Sequence, residues 1–98
     1  MINAYAAGIV DGEGCIMITK VGVSYAPLVT VSNTNFELME ELHKTYGGKI
    51  YKISKPKNKL HWKDSWQWRI HWSYAVDFLK EIYPFLIIKK KQADLVFE

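Results

Sequence analysis

Residues 6–14, Ala-Ala-Gly-Ile-Val-Asp-Gly-Glu-Gly, decide the fold of this chain. Three glycines alternate there with branched apolar residues and two acids, and an alternating run, Cys-Ile-Met-Ile-Thr-Lys, follows at residues 15–20. This change of period predicts a helix that ends at the glycine-flanked Glu13 and a strand that begins directly after it. Asn3 is the expected N-cap of this helix, because an asparagine side-chain oxygen can accept a hydrogen bond from a free backbone N–H.

One face of the predicted helix carries only very small residues. Ala4, Gly8 and Gly12 recur every four residues and therefore lie one above the other. Glycine within a helix costs roughly 1 kcal/mol relative to alanine, so two glycines on one face need a structural reason. Residues this small allow a second helix to approach backbone to backbone, and we predict such a contact along this face.

The rest of the chain alternates pairs of strands with helices. Strand patterns cover residues 15–21, 27–32, 49–54 and 64–72, and helix patterns cover residues 36–46, a segment capped by Ser73 and ended or kinked by Pro84, and residues 87–97. This order predicts one α+β domain over residues 1–98, with a four-stranded antiparallel sheet and helices on one face. Trp66 and Trp68 alternate with polar residues in the last strand, so we expect them to pack in the core.

Composition narrows the class of protein. The 98 residues carry a formal charge of +3, a modest basic bias that suits a nucleic-acid binder but also fits proteins that bind none. The single cysteine excludes an internal disulfide and a cysteine-cluster zinc site. Because no run approaches about 20 apolar residues and Met1–Gly14 lacks the features of a secretory signal, we expect no membrane partner and an intracellular location, in the cytoplasm or an organelle.

Residues 6–14 resemble the nine-residue signature of the LAGLIDADG homing endonucleases. Ala6 stands where the signature begins with Leu, residues 7–10 match or are conservative, and residues 11–14 match the acid-small-acid-glycine end. The resemblance implies an αββαββα fold and a site-specific double-strand DNA endonuclease. A non-cleaving nucleic-acid binder of the same fold, either an intron RNA maturase or a DNA-binding regulator, is the alternative. Retention of Glu13 favours cleavage, because a pure binder needs no acid facing phosphate.

The resemblance assigns metal binding to Glu13 and to the backbone carbonyl of Gly12. A carboxylate at a helix C-terminus meets the negative end of the helix dipole at a cost of a few tenths to about 1 kcal/mol, which a divalent cation would remove. Mg²⁺ is the expected ion, since it takes hard oxygen ligands and keeps several waters, and Mn²⁺ or Ca²⁺ could occupy the same site.

One motif provides one acid, whereas cleavage of both DNA strands requires two. The resemblance therefore implies a homodimer in which the two motif helices pack together on a roughly palindromic target. Asp11 is interpreted as a structural residue that braces the helix end. The predicted dimer interface consists of Ala4, Ala7, Gly8, Asp11 and Gly12.

Two further catalytic candidates come from the same resemblance. Residues 84–93, Pro-Phe-Leu-Ile-Ile-Lys-Lys-Lys-Gln-Ala, resemble the closing segment of the family, in which a lysine ahead of the Gln-Ala pair lies near the metals. Lys89 takes that place, and a solvated lysine at a helix start is the alternative. Residues 31–33, Val-Ser-Asn, resemble a Val-Thr-Gln step whose last side chain holds solvent near the site. Asn33 takes that role or, alternatively, caps the following helix.

The open face of the sheet is the predicted DNA surface, because polar side chains on a curved sheet suit the base edges of the major groove. A solvated sheet face is the alternative. The pattern does not fix whether Lys49 and Tyr51 or Lys52 and Ser54 point outward from the third strand. The lysines of residues 55–63 predict a hairpin tip that contacts phosphates, or merely a soluble loop. The predicted DNA-binding residues are Thr19, Thr30, Ser32, Lys49, Tyr51, Lys55, Lys57, Lys59, Gln67, Arg69 and His71.

Overall fold

The computed structural model describes residues 1–59, 61 and 63–97. Its helices and strands are α1 (Asn3–Glu13), β1 (Gly14–Val21), β2 (Ser24–Asn33), α2 (Phe36–Tyr46), β3 (Lys49–Lys52), β4 (Trp66–His71), α3 (Trp72–Ile82) and α4 (Lys90–Phe97). The strands form one antiparallel sheet in the order β1-β2-β4-β3. The predicted α+β architecture is therefore confirmed.

The helices cover one face of the sheet, and the core lies between the two layers. Val29 and Val31 of β2 and Trp68 of β4 are fully buried there. The Trp68 ring makes an edge contact with Phe78, with centroids 5.2 Å apart, and its indole N–H donates to the Gly47 carbonyl at 2.8 Å. Trp66, on the same face, is partly buried against this core. The placement of both tryptophans in the core layer is confirmed.

Gly14 makes the abrupt change from α1 to β1 possible. A Cβ atom at this position would lie 2.8 Å from the Cα of Val10 and 3.2 Å from the backbone oxygen of Thr30. Only glycine allows this close approach of the strand to the helix that precedes it. Glu13 is consequently held at the junction of the two elements, beside the end of β2.

The turn after α2 fixes the position of the third strand. Gly48 has a φ of 79°, and a Cβ atom there would lie 2.8 Å from the indole nitrogen of Trp68. Glycine therefore satisfies both the left-handed backbone and the contact with the core. β3 then pairs with β4 so that Lys49 lies opposite Arg69 and Tyr51 lies opposite Gln67. Of the two possible registers, the one with Lys49 and Tyr51 on the open face is the one observed.

Three helix starts differ from the sequence-based expectation. Asn3 is the first residue of α1 rather than its cap, and its side-chain oxygen accepts a hydrogen bond from the Tyr46 hydroxyl at 2.7 Å. Ser73 does not cap α3, because that helix already begins at Trp72. The last helix begins at Lys90 instead of residue 87, because residues 87–89 are held in a non-helical conformation against the end of α1.

In the described part of the chain, no helix combines the length and the apolar character needed to cross a membrane.

Candidate functional site

The Glu13 carboxylate is exposed at the C-terminal end of α1 and is held there by Asn33 at the end of β2. The Asn33 side-chain NH₂ donates to Glu13 Oε2 at 2.6 Å, and the Asn33 side-chain oxygen accepts from the backbone N–H of Asn35 at 2.9 Å. Asn35, not Asn33, caps α2, since its side-chain oxygen accepts from the N–H of Leu38. The helix-cap alternative for Asn33 is therefore wrong, and this side chain orients the acid.

Asp11 connects the last turn of α1 to the segment before α4. Its carboxylate oxygens accept the backbone N–H groups of Ile87 at 2.8 Å and Lys89 at 3.0 Å. Partial burial acts to raise the pKa of Asp11, but the amides of residues 87–89 and the Lys89 charge outweigh it and hold the pKa below its usual range. The Asp11 side chain is thus directed into its own protomer, where it anchors residues 87–89.

The same contact places Lys89 at the end of the motif helix. Its ammonium group donates to the backbone carbonyl of Asp11 at 2.7 Å. A lysine here complements the negative end of the helix dipole and satisfies a carbonyl of the last turn. The structure therefore brings Lys89, Asn33 and Glu13 to the same end of α1, although they come from three distant parts of the sequence.

The outward face of α1 carries the small residues. Ala4, Gly8 and Gly12 are all exposed, and a Cβ atom added at Gly8 or Gly12 would meet nothing within 4 Å. Packing within the described part of the chain therefore does not require these glycines. The face borders an open groove of about 650 Å³ that runs past Tyr5 and ends at Glu13.

Ala7 does not belong to this outward face. It is fully buried and packs in the core with Ala6 and Val10. Its inclusion in the predicted interface is wrong, because the Ala7 side chain is fully buried towards the sheet and is not accessible to a second helix. The exposed strip of α1 is formed by Ala4, Gly8 and Gly12, with Tyr5 and Ile9 beside it.

The candidate metal ligands at the acid end of α1 are the Glu13 carboxylate and the Gly12 backbone carbonyl. In residues 1–59, 61 and 63–97, no cluster of three or more histidine, cysteine, aspartate or glutamate side chains is positioned to hold a metal. Glu13 contributes one carboxylate, and the neighbouring Gly12 contributes a backbone carbonyl from the last helical turn. This donor set fits a hard divalent cation that keeps most of its waters or takes further oxygen ligands from a substrate.

A row of polar side chains crosses the open sheet face. The Gln67 amide donates to the Ser32 hydroxyl at 3.3 Å, and the Arg69 guanidinium donates to the Gln67 carbonyl oxygen. The same guanidinium lies 5.1 Å from the centre of the Tyr51 ring, a cation–π contact. Hydrogen bonds and the ring contact thus hold Gln67 and Arg69 in place on an exposed surface, and Lys49 lies next to Arg69.

Two of the predicted DNA-binding residues on the sheet are less accessible than expected. Thr30 is only 7% exposed, because it lies in the central strand β2 between Cys15 of β1 and Arg69 of β4. Its assignment as a DNA contact is wrong for the described conformation. The Thr19 hydroxyl is partly buried and donates to the carbonyl of Ala26 at 3.3 Å, so it bridges the two strands of its own hairpin.

The basic loop between β3 and β4 divides into paired and exposed lysines. Lys55 is partly buried and forms an ion pair with Asp64 at 3.0 Å, so it is not the open phosphate contact that the sequence suggested. The hydrogen bond from Lys55, followed by the charges of Lys52 and Lys55, lowers the pKa of Asp64. Lys57 and Lys63 are exposed. Leu60 and Trp62 of this loop lie outside the described residues.

Sequence reasoning missed two features that the structure reveals. It did not find that Asp11 contacts residues 87–89, because the partners are more than 75 residues apart and backbone N–H groups leave no trace in a sequence pattern. It also did not single out Tyr74, which is exposed at the start of α3 beside the exposed Trp72. Trp72 was interpreted as the last residue of the strand over residues 64–72, and Tyr74 fell in the helix after Ser73, so the available signal was an aromatic residue on each side of that boundary.

Comparisons with known proteins agree with the fold. No protein-family model and no curated protein matches the sequence. Among solved structures, the archaeal intron-encoded homing endonuclease I-Vdi141I complexed with DNA superposes with a TM-score of 0.74 at 20% identity over 96% of this chain. The LAGLIDADG meganucleases I-AabMI and I-CpaMI, both bound to uncleaved DNA, give TM-scores of 0.70 and 0.65 at 23% and 21% identity over 99% and 97% of this chain.

These likenesses show that the chain has the LAGLIDADG homing-endonuclease fold. The chain spans 63% of the I-Vdi141I chain, 35% of the I-AabMI chain and 33% of the I-CpaMI chain.

Proposed function

We propose that this protein is a LAGLIDADG homing endonuclease that cleaves double-stranded DNA at specific sites, acts as a homodimer and depends on Mg²⁺. One observation carries the proposal. Glu13 is presented at the exposed end of a helix, is oriented by Asn33, and stands at the end of a strip of small residues that the protomer does not use. The DNA complexes of I-Vdi141I and I-AabMI, which share this fold, support it.

The open sheet face is the surface that contacts DNA. Gln67 and Arg69, held by their neighbours, are suited to base edges, and a planar guanidinium can bind guanine through two hydrogen bonds. The exposed Lys57 and Lys63 are suited to phosphates, which position the protein without specifying sequence. We thus assign recognition of the base sequence to the open sheet face and sequence-independent affinity for DNA to the loop between β3 and β4.

The dimer forms along the outward strip of α1. Ala4, Gly8 and Gly12 allow a second copy of the helix to approach closely, and the exposed Tyr5 beside them adds apolar surface that the contact would bury. Two-fold symmetry places two Glu13 carboxylates near each other and requires two similar half-sites, so the target is roughly palindromic.

The ion required is a divalent cation with oxygen ligands, held by Glu13 and the Gly12 carbonyl. When bound, it activates water and stabilises negative charge on the phosphate and the leaving oxygen. Asn33 keeps the Glu13 carboxylate in a fixed position through the 2.6 Å hydrogen bond. Lys89 contributes positive charge at the same end of α1, and Asp11 keeps Lys89 there by anchoring residues 87–89.

A cleavage assay on a selected target tests the proposal. A binding site is first selected from random duplexes and cloned into a supercoiled plasmid, which is incubated with Mg²⁺, Mn²⁺, Ca²⁺ or a chelator. The wild-type protein is expected to linearise the plasmid with Mg²⁺ and to leave it intact with the chelator. Glu13→Gln should abolish cleavage, whereas Glu40→Gln, an exposed acid on α2, should cleave normally. Tight duplex binding without any cleavage would instead favour the non-cleaving alternative.

A further inference from the structure

A small cavity opens at the outer corner of the sheet, where β4 runs into α3. Its volume is about 270 Å³. Cavities for drug-sized ligands usually span about 300–1,000 Å³, so this one suits a single planar ring system with its substituents. The lining side chains that matter for binding are Lys49, Tyr51, Arg69, His71, Trp72 and Tyr74.

Three aromatic side chains of the described residues line this cavity, and each of them remains partly exposed to solvent. Trp72 is 50% exposed, Tyr74 is 71% exposed and Tyr51 is 43% exposed. Trp72 also has a φ of 55°, a left-handed conformation that is costly for a bulky side chain. The fold therefore keeps a large, partly exposed ring in an unfavourable backbone position, although core packing gives no reason for it.

The charge around the cavity is positive. Lys49 and Arg69 lie on its walls, and no carboxylate among the described residues lines it. The neighbouring cavity beside α3 is lined by Asp77 and Glu81 and lacks any basic side chain in the described part of the chain. A ligand for the corner cavity should therefore combine a flat ring with a negative charge.

We propose that this corner binds one unpaired nucleotide, with its base stacked on Trp72 or Tyr74 and its phosphate near Lys49 and Arg69. The site goes beyond the proposed function, because an intact duplex offers only base edges in its grooves and cannot place a base face against an aromatic ring. Any base can stack on an aromatic side chain, so the site would recognise an unpaired nucleotide whatever its sequence. A displaced DNA strand and an RNA loop share this chemistry.

Short labelled oligonucleotides with and without bases test the site directly. Fluorescence anisotropy measures the affinity of the protein for a normal single strand and for a strand of the same length whose central positions are abasic. Both strands are tested in a DNA series and in an RNA series. The wild-type protein is expected to bind the normal strand at least about fivefold more tightly, because each stacked base contributes about 1 kcal/mol or more. Tighter binding of the strand with bases in either series supports the site, and the series that shows it identifies whether the nucleotide comes from DNA or from RNA.

Two variants locate this preference in the corner. Trp72→Leu keeps an apolar side chain but removes the ring, and Tyr74→Ala removes a ring that is 71% exposed. Removal of the ring that stacks on the base should lower affinity for the normal strand towards that for the abasic strand and leave abasic binding unchanged, so at least one of the two variants should show this loss. Tyr25→Ala, which removes an equally exposed ring outside the cavity, is the matched control and should behave as wild type.

Equal binding of normal and abasic strands by the wild-type protein would overturn the site, as would a full preference for bases in both variants. Circular dichroism verifies that Trp72→Leu is folded, and Tyr74→Ala provides the independent test if it is not. If the wild-type protein did not bind duplex DNA, the proposed function would be contradicted. If it bound the duplex but showed no preference for strands with bases over abasic strands, only the corner site would be contradicted.

Discussion

Removing the Asp11 carboxylate should release residues 87–89 from the end of α1. The carboxylate accepts backbone N–H groups at 2.8 and 3.0 Å, and a hydrogen bond to a charged group contributes about 1.5–3 kcal/mol. Partial solvent exposure places both bonds at the low end of that range. We therefore expect Asp11→Ala to lower the free energy of unfolding by about 3 kcal/mol at neutral pH, measured by urea denaturation.

The effect of Asp11 should also depend on pH in a defined direction. Its pKa is lowered in the folded protein, so its stabilisation is fully present above the ordinary aspartate pKa of about 3.9 and is lost as the pH falls through the folded-state value. The difference in unfolding free energy between wild type and Asp11→Ala should thus be constant near pH 7 and shrink below about pH 4.

Hydrogen exchange locates the effect in the structure. The amides of Ile87 and Lys89 should exchange faster in Asp11→Ala than in the wild-type protein, because both lose their acceptor. Asp77→Ala removes an exposed acid from α3 and serves as the control, with little expected change in stability. Equal stability of Asp11→Ala and wild type at neutral pH, or an undiminished difference at the acid limit, would refute the reasoning.

Three further predictions follow from the same geometry. Gly8→Leu should convert a dimer into a folded monomer in sedimentation equilibrium, since a Cβ atom at this position meets nothing within 4 Å among the described residues but the larger side chain would block a second helix. A wild-type monomer, or a variant that still dimerises, would contradict this prediction. Gly14→Ala should lower the free energy of unfolding by about 1–3 kcal/mol in urea denaturation, because its Cβ would lie 2.8 Å from the Cα of Val10, and unchanged stability would disprove that contact. Arg69→Ala should weaken DNA binding by about 1–3 kcal/mol and relax the base preference at one position of each half-site. Lys57→Ala should instead weaken binding to all sequences alike and reduce the slope of log affinity against log salt concentration by about 1. Binding-site selections at two salt concentrations measure both effects.

The periodic parts of the fold were predictable from the sequence. Helix α2 runs over residues 36–46 as expected, and the alternation around Trp68 correctly assigned its face, because each pattern reflects burial within a single element. Helix starts were less predictable, since they depend on distant partners. The Asn3 side chain bonds Tyr46, which is 43 residues away, and so does not cap α1.

The candidate site was predictable only where one element determines it. The exposed face of α1 followed from the spacing of Gly8 and Gly12, but the same spacing could not show that Ala7 faces the core. The hydrogen bond between Asn33 and Glu13 joins a strand end to a helix end, and its existence depends on the registry of β2 beside α1. The pairing of Lys55 with Asp64 likewise depends on how the loop folds back, which residue types alone do not specify.

Cleavage and affinity of Glu13→Gln, both measured on one selected duplex, test whether the Glu13 carboxylate holds the metal. We expect cleavage with Mg²⁺ to be abolished while affinity stays the same or rises, because a negative charge beside phosphate is removed and the Asn33 amide can still donate to the new side-chain oxygen. Cleavage by Glu13→Gln at the wild-type rate would contradict the assignment of this acid to the metal site.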